Sequence, residues 1–165
     1  MITGLVLVER GVEPLAATLS SLVPGAAEGL VGDAVVIARR VDDDIARVAD
    51  AMGASLVVIE PGQDPWAEAA RLARRDWLLC LGDGDMPAEG WIRVLDRFTL
   101  AASGSGFPVG RLARKLPWRE RIATLAEGRL GPPRIRPGDL VHRSRIGAPG
   151  SRLVRVPVQI LRDPA

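Results

Sequence analysis

The chain has 165 residues, 47% of them apolar, and a formal net charge of +2. That length suits one domain with a sizeable core and is short for two, and no run approaches the roughly 20 apolar residues that a spanning helix needs. The one cysteine, Cys80, excludes an intramolecular disulfide and suits a reducing compartment, and residues 1–8 lack the marks of a signal peptide, so a cytoplasmic protein, soluble or peripheral, is expected.

In chain order, Leu5 to Val8 is a short apolar run ended by Glu9, Arg10 and Gly11, which predicts a strand buried on both faces. From Glu13 and Pro14 onward, Leu15, Leu19, Leu22 and Val23 recur at helical spacing, with Pro14 in the first turn and Pro24-Gly25 as the expected stop. Ala34 to Ala38 predicts a second strand. Asp42, Asp43 and Asp44 then open a helix carrying Ile45, Val48, Ala49 and Met52 on one face; acids suit its positive end and Gly53 its finish. Ser55 to Ile59 predicts a third strand, and Asp64-Pro65 caps a further helix running to Arg75.

The next stretch, Asp76 to Pro87, is an apolar run that stops at Asp83 and Asp85, and it predicts a fourth strand with two carboxylates at its end. Alternating strands and helices of this kind build a parallel sheet with right-handed crossovers, and such folds bind ligands in the crevice outside the carboxyl ends of the strands. Two carboxylates there, completed by substrate phosphates and water, are a usual ligand set for Mg or Mn. The same cluster of Gly, Asp and Pro is also what a polar turn looks like, and these residues alone leave both readings open. Trp91, Val94, Leu95 and Phe98 at i, i+3, i+4 and i+7 mark a helix packed on the core.

Ser103-Gly104-Ser105-Gly106 breaks the regularity, which divides the expected single domain into a βαβ core over residues 1–102 and a basic region over 103–165. Pro117 can open a helix in which Trp118, Ile122, Leu125 and Ala126 share a face flanked by arginines; it suits either a cover on the sheet or peripheral contact with a membrane surface. Residues 138–146 and 152–161 read as short strands or extended segments, with Pro157 pointing to an edge. Between Arg111 and Arg162 lie thirteen basic residues, 12 of them Arg, against Glu120, Glu127 and Asp139, a balance that attracts phosphates or remains a solvated face.

The order of elements, with the strings from Leu15 to Val23, Val31 to Ile37, Asp42-Asp43 and Ala73 to Leu81 followed by Pro87 and Gly90-Trp91, resembles the family 2 glycosyltransferases of GT-A fold, most closely their short bacterial members. The likeness spans about residues 4–98 and extends loosely over 111–130. It implies an α/β, Rossmann-like GT-A architecture with helices on both faces of a mainly parallel sheet. It further implies transfer of a sugar from a nucleotide-diphosphate sugar, assisted by a Mg or Mn cation, to an acceptor that the sequence does not specify, lipid-linked and cell-envelope acceptors being the candidates. Carried over residue by residue, the resemblance places Glu9, Arg10, Ala38, Asp42, Asp43 and Asp83 beside the nucleotide, Asp83 and Asp85 at the metal, and Asp139 as the one candidate for a late general base.

The sequence also departs from the family's pattern. Ala38, followed by Arg39 and Arg40, stands where members carry an Asp after the second strand; gapless alignment on Trp77 and Trp91 shifts Asp83 and Asp85 by one position; and the context of Asp139 differs. Those departures favour an alternative reading, a non-catalytic nucleotide- or partner-binding protein that keeps the fold. A nucleotidyltransferase is a third. Glu9-Arg10-Gly11-Val12-Glu13 is neither a phosphate loop nor G-x-G-x-x-G, which argues against dinucleotide-dependent oxidoreductases, and six aromatics without a recognition motif argue against a nucleic-acid partner.

Overall fold

The computed structural model describes residues 1–102, 106–114, 134–148 and 152–162. Strands β1 (Ile2–Leu7), β2 (Val31–Ala38), β3 (Ser55–Val58) and β4 (Trp77–Gly82) alternate with helices α1 (Val12–Ala27), α2 (Asp43–Ala51) and α3 (Pro65–Leu72). Then come β5 (Asp85–Pro87), α4 (Trp91–Ala102), β6 (Val109–Arg114), β7 (Asp139–His142), a short 3₁₀ turn (Arg143–Arg145) and β8 (Leu153–Arg162). The strands form one eight-stranded sheet in the order β3-β2-β1-β4-β7-β6-β8-β5. The first four are parallel, as apolar runs buried on both faces require, and the rest add antiparallel β4–β7, β6–β7 and β5–β8 pairs and a parallel β6–β8 pair.

Alternation along the strands sends side chains to two cores. Leu5, Leu7, Val35, Ile37, Leu78 and Cys80 meet Trp66, Ala69 and Ala73 of α3 on one face. On the other face, Leu79 and Leu81 meet Trp91 and Leu95 of α4, while Val6 and Val36 meet Leu15 and Leu19 of α1 and Ile45 of α2. Full burial of each such side chain contributes roughly 1.5–3 kcal/mol, so the inner strands are the most strongly held part of the sheet.

Several expectations need correction. Helix α1 does not stop at Pro24-Gly25 but runs on to Ala27, and Gly25 serves close packing instead, lying against the ring of Trp91 and against Val31, where a Cβ would collide. It closes one turn later, where the N–H of Gly29 (φ +78°) bonds to the carbonyl of Ala26 and that of Leu30 to Gly25. Helix α3 ends at Leu72 instead of Arg75: the N–H of Arg74 is drawn to Asp33 (2.9 Å) and that of Arg75 to Thr3 (3.2 Å). Strands β5 and β6 were not anticipated. Pro157 stands where β8 is paired on one side only, since β5 joins it at Ile160 to Arg162, and it falls in the β6–β8 register shift between Leu112 and Ala113, so its missing N–H costs the ladder nothing. The helix expected from Pro117 lies outside the described residues.

Among the described residues no helix is long and apolar enough to cross a membrane.

Candidate site at the carboxyl ends of the strands

Register brings three chain segments to one place. Leu7 is paired with Ile37 on β2 and with Gly82 on β4, so Glu9-Arg10-Gly11, Ala38-Arg39-Arg40 and the turn from Gly82 to Asp85 emerge side by side from the carboxyl end of the sheet. The N–H of Asp83 bonds to the carbonyl of Leu7 (3.0 Å), which ties the turn to the exit of β1. Gly84 adopts φ +84° with Arg10 directly over it, a left-handed conformation and a close approach that together favour glycine.

Asp83 is buried, and its Oδ2 accepts hydrogen bonds from the backbone N–H groups of Glu9 (3.0 Å), Arg10 (2.5 Å) and Gly11 (2.9 Å). The carboxylate therefore ties down the turn from β1 into α1, just ahead of the helix's positive end. Asp85 is fully buried: Oδ2 accepts the N–H of Gly82 (2.8 Å), and Oδ1 accepts Nη2 of Arg114 at the end of β6 (2.7 Å). Arg10 over Gly84 and Arg114 beside Gly82 thus bracket the acidic turn with two guanidiniums.

The remaining candidates are dispersed around this centre. Glu9 is exposed and lies 3.7 Å from the guanidinium of Arg39. Ala38 is buried, and its carbonyl accepts the N–H of Ile59. Asp42 is the N-cap of α2, bonding the N–H groups of Asp44 (3.0 Å) and Ile45 (3.1 Å), and Asp43 is the exposed first residue of that helix. Asp139 is fully buried in a two-pronged pair with Arg111 (Nε–Oδ1 2.7 Å, Nη2–Oδ2 2.8 Å) and also accepts the N–H of Arg136. That hydrogen-bonded pairing raises the affinity of Arg111 for its proton further, against the opposing effect of burial. With both oxygens engaged in this way, the carboxylate is poorly placed to take a proton from an acceptor.

Arg111 and Arg114 are the site residues that sequence reasoning missed, since no local pattern distinguishes them among thirteen basic residues. The signal was the alternation of Val109, Arg111 and Ala113 with Gly110, Leu112 and Arg114, too short and too mixed to separate a strand from a loop. His142 stacks on Phe107 (centroids 3.9 Å apart, rings 13° from parallel) and meets Trp77 edge-on, which makes it a packing residue. A pocket of about 180 Å³ lined by Leu22, Val23, Gly32 and Met52 lies at the amino end of β2, remote in the sheet from this chemistry.

The sheet order, the helices on both faces and the strand-end turn define a GT-A-like α/β fold, the fold of nucleotide-sugar glycosyltransferases. Solved structures that share it include glucosyl-3-phosphoglycerate synthase from Mycobacterium tuberculosis in complex with phosphoglyceric acid, with a TM-score of 0.68 at 16% identity over 100% of this chain and 72% of that one. The same enzyme in complex with Mn2+ and uridine-diphosphate-glucose has a TM-score of 0.61 at 16% identity, covering 99% and 71% of the two chains. A mannosyltransferase from Pyrobaculum calidifontis, in complex with GDP-Man and Mn2+, has a TM-score of 0.60 at 12% identity, over 96% of this chain and 56% of that one. No protein-family model and no curated protein matches the sequence.

These neighbours carry Mn2+ or Mg2+ with their nucleotides. The strand-end acids of this chain do not fit a cation as they are arranged. Both oxygens of Asp85 are engaged, by Arg114 and by Gly82, and one oxygen of Asp83 holds three amides. Among the described residues no three His, Cys, Asp or Glu side chains converge as a metal site.

Proposed function

We propose that the chain is a glycosyltransferase-like protein that binds a nucleotide-diphosphate sugar in the crevice at the carboxyl ends of β1, β2 and β4 and passes the sugar to an acceptor of the lipid-linked or cell-envelope kind. The observation that supports this reading is the register of Leu7 with Ile37 and Gly82, which gathers Glu9-Arg10, Arg39-Arg40 and the acidic turn in a fold whose solved examples hold UDP-Glc and GDP-Man. Arg39 and Arg40 are exposed and supply positive charge beside the crevice, where a diphosphate would be attracted and oriented. The buried acids hold the turn and the start of α1 in place, so the backbone around the ligand is set before it arrives.

Calorimetric titration with UDP, GDP, UDP-glucose and GDP-mannose tests the reading, on the wild type and on the surface variant Arg39→Glu with Arg40→Glu. Binding that the variant weakens about tenfold or more is the expected result. Absence of binding by all four ligands would overturn it.

A second reading, a nucleotide-binding module without turnover, is favoured by the engagement of Asp139 with Arg111 and by Ala38 at a position where an acid was expected. Release of UDP from UDP-glucose, followed over time in the presence of candidate acceptors, separates the two. Tight binding without release would favour the module.

A further inference from the structure

We propose that Arg114 does in this chain the electrostatic work of a divalent cation: Asp85 holds its guanidinium at the end of β4, and a diphosphate bound here is neutralised without metal. The inference rests on the reading that the crevice takes a nucleoside diphosphate, and it deepens that reading by naming the group that faces the phosphates.

Three observations carry it. First, the acids are already compensated. Asp85 is fully buried and bonded to Arg114 and Gly82, while Asp83 is spent on the three amides at the start of α1. The fully buried Asp85 is thus paired with a guanidinium, and that positive charge opposes the approach of a divalent ion. Second, Arg114 is anchored but not spent. A guanidinium carries five N–H donors, and among the described residues one nitrogen, Nη2, is bonded to Asp85, leaving Nε and Nη1 available; the side chain keeps 17% of its exposure. Third, the anchor gives direction. The fully buried carboxylate holds the guanidinium beside Gly82, the last residue of β4, at the carboxyl end of the sheet, and a planar fork fixed from behind suits phosphate oxygens better than a mobile lysine. Asp85 is in this account a positioning residue, and it acts through Arg114.

Two measurements on the full chain test this. Electron paramagnetic resonance of Mn2+ alone, without nucleotide, reads whether the protein takes up the ion. The wild type is expected to leave the free-ion signal intact at protein concentrations of hundreds of micromolar, and Arg114→Gln to depress it, because the variant uncovers Asp85. Calorimetry with UDP and GDP in EDTA and then in Mn2+ is expected to give dissociation constants within about twofold of each other for the wild type. In EDTA, Arg114→Gln should weaken binding about tenfold, and Arg114→Lys should recover part of that loss. Circular dichroism checks that each variant is folded, and Arg114→Lys keeps a charge opposite Asp85 should the Gln variant not fold.

Stoichiometric Mn2+ uptake by the wild type that Asp85→Asn abolishes would overturn the proposal. Nucleotide binding that appears only with Mn2+ would overturn it too, while leaving the nucleotide-binding reading intact. Absence of nucleotide binding in every buffer would overturn both.

Discussion

At Asp83, one carboxylate oxygen satisfies three backbone donors that belong to residues 72 to 74 positions away in the chain. Asp83→Ala removes that acceptor from three amides of a partly buried turn, so a loss of about 2 kcal/mol is expected in urea unfolding, with the slope of the transition unchanged. Cys80 is fully buried beneath α3, and burial, with the charges of Asp139 and Asp64 adding to it, pushes its thiol well above the ordinary range. It should react with a disulfide reagent at the rate of global unfolding and become fully reactive in denaturant. His142, the single histidine, has its affinity for a proton lowered, chiefly by burial and against the pull of Asp76. Its value in the fold therefore lies below the unfolded value of 6.5, and as pH falls the unfolded chain takes up the proton first. The stability linked to His142 is present above pH 6.5 and is lost as pH falls through the folded value. Thermal melts from pH 7.5 down to pH 5 should show this decline, and His142→Phe, which keeps a ring against Phe107, should remove it.

Among the elements, the helices are held as much by their ends as by their faces. Asp42 accepts two N–H groups at the start of α2, and Asp64 accepts that of Trp66 at the start of α3. Arg143 donates to the carbonyls of Ala70 and Ala73 at the far end of α3, which complements the negative pole of that helix. Asp42→Ala should cost about 1 kcal/mol in denaturant unfolding. Because α2 packs beside the crevice strands, a larger loss of nucleotide affinity than of stability would show that Asp42 also touches the ligand. The contact between α1 and α4 belongs to this scale as well: Gly25 leaves room for the ring of Trp91.

For the molecule as a whole, the sheet joins a parallel half to a mixed half through the antiparallel pairing of β4 with β7. The Arg111–Asp139 pair, with its carboxylate buried and its guanidinium half-buried, bridges β6 and β7 in that second half. Removing one partner of a buried pair costs more than replacing both. Asp139→Ala is thus expected to destabilise by roughly 3–5 kcal/mol, while Arg111→Met combined with Asp139→Leu should recover most of that loss in the same unfolding assay.

Much of the first half of the fold was legible in the sequence. The apolar runs of β1, β2 and β4, the stripes of α2 and α4 and the caps Asp42 and Asp64 are all written in residues a few positions apart, and helices and turns form through contacts at that range. What Asp83, Asp85 and Asp139 do was decided only by the tertiary structure. Their partners stand 72 to 74, 29 and 28 residues away and reach them through strand register, which also determines whether β6 exists at all. The sequence by itself thus determined the alternating α/β order and the placing of two acids at a strand end. Only the packed sheet decided that those acids meet backbone amides and an arginine, because the charge around a buried carboxylate is set by whatever the fold brings within a few ångströms of it.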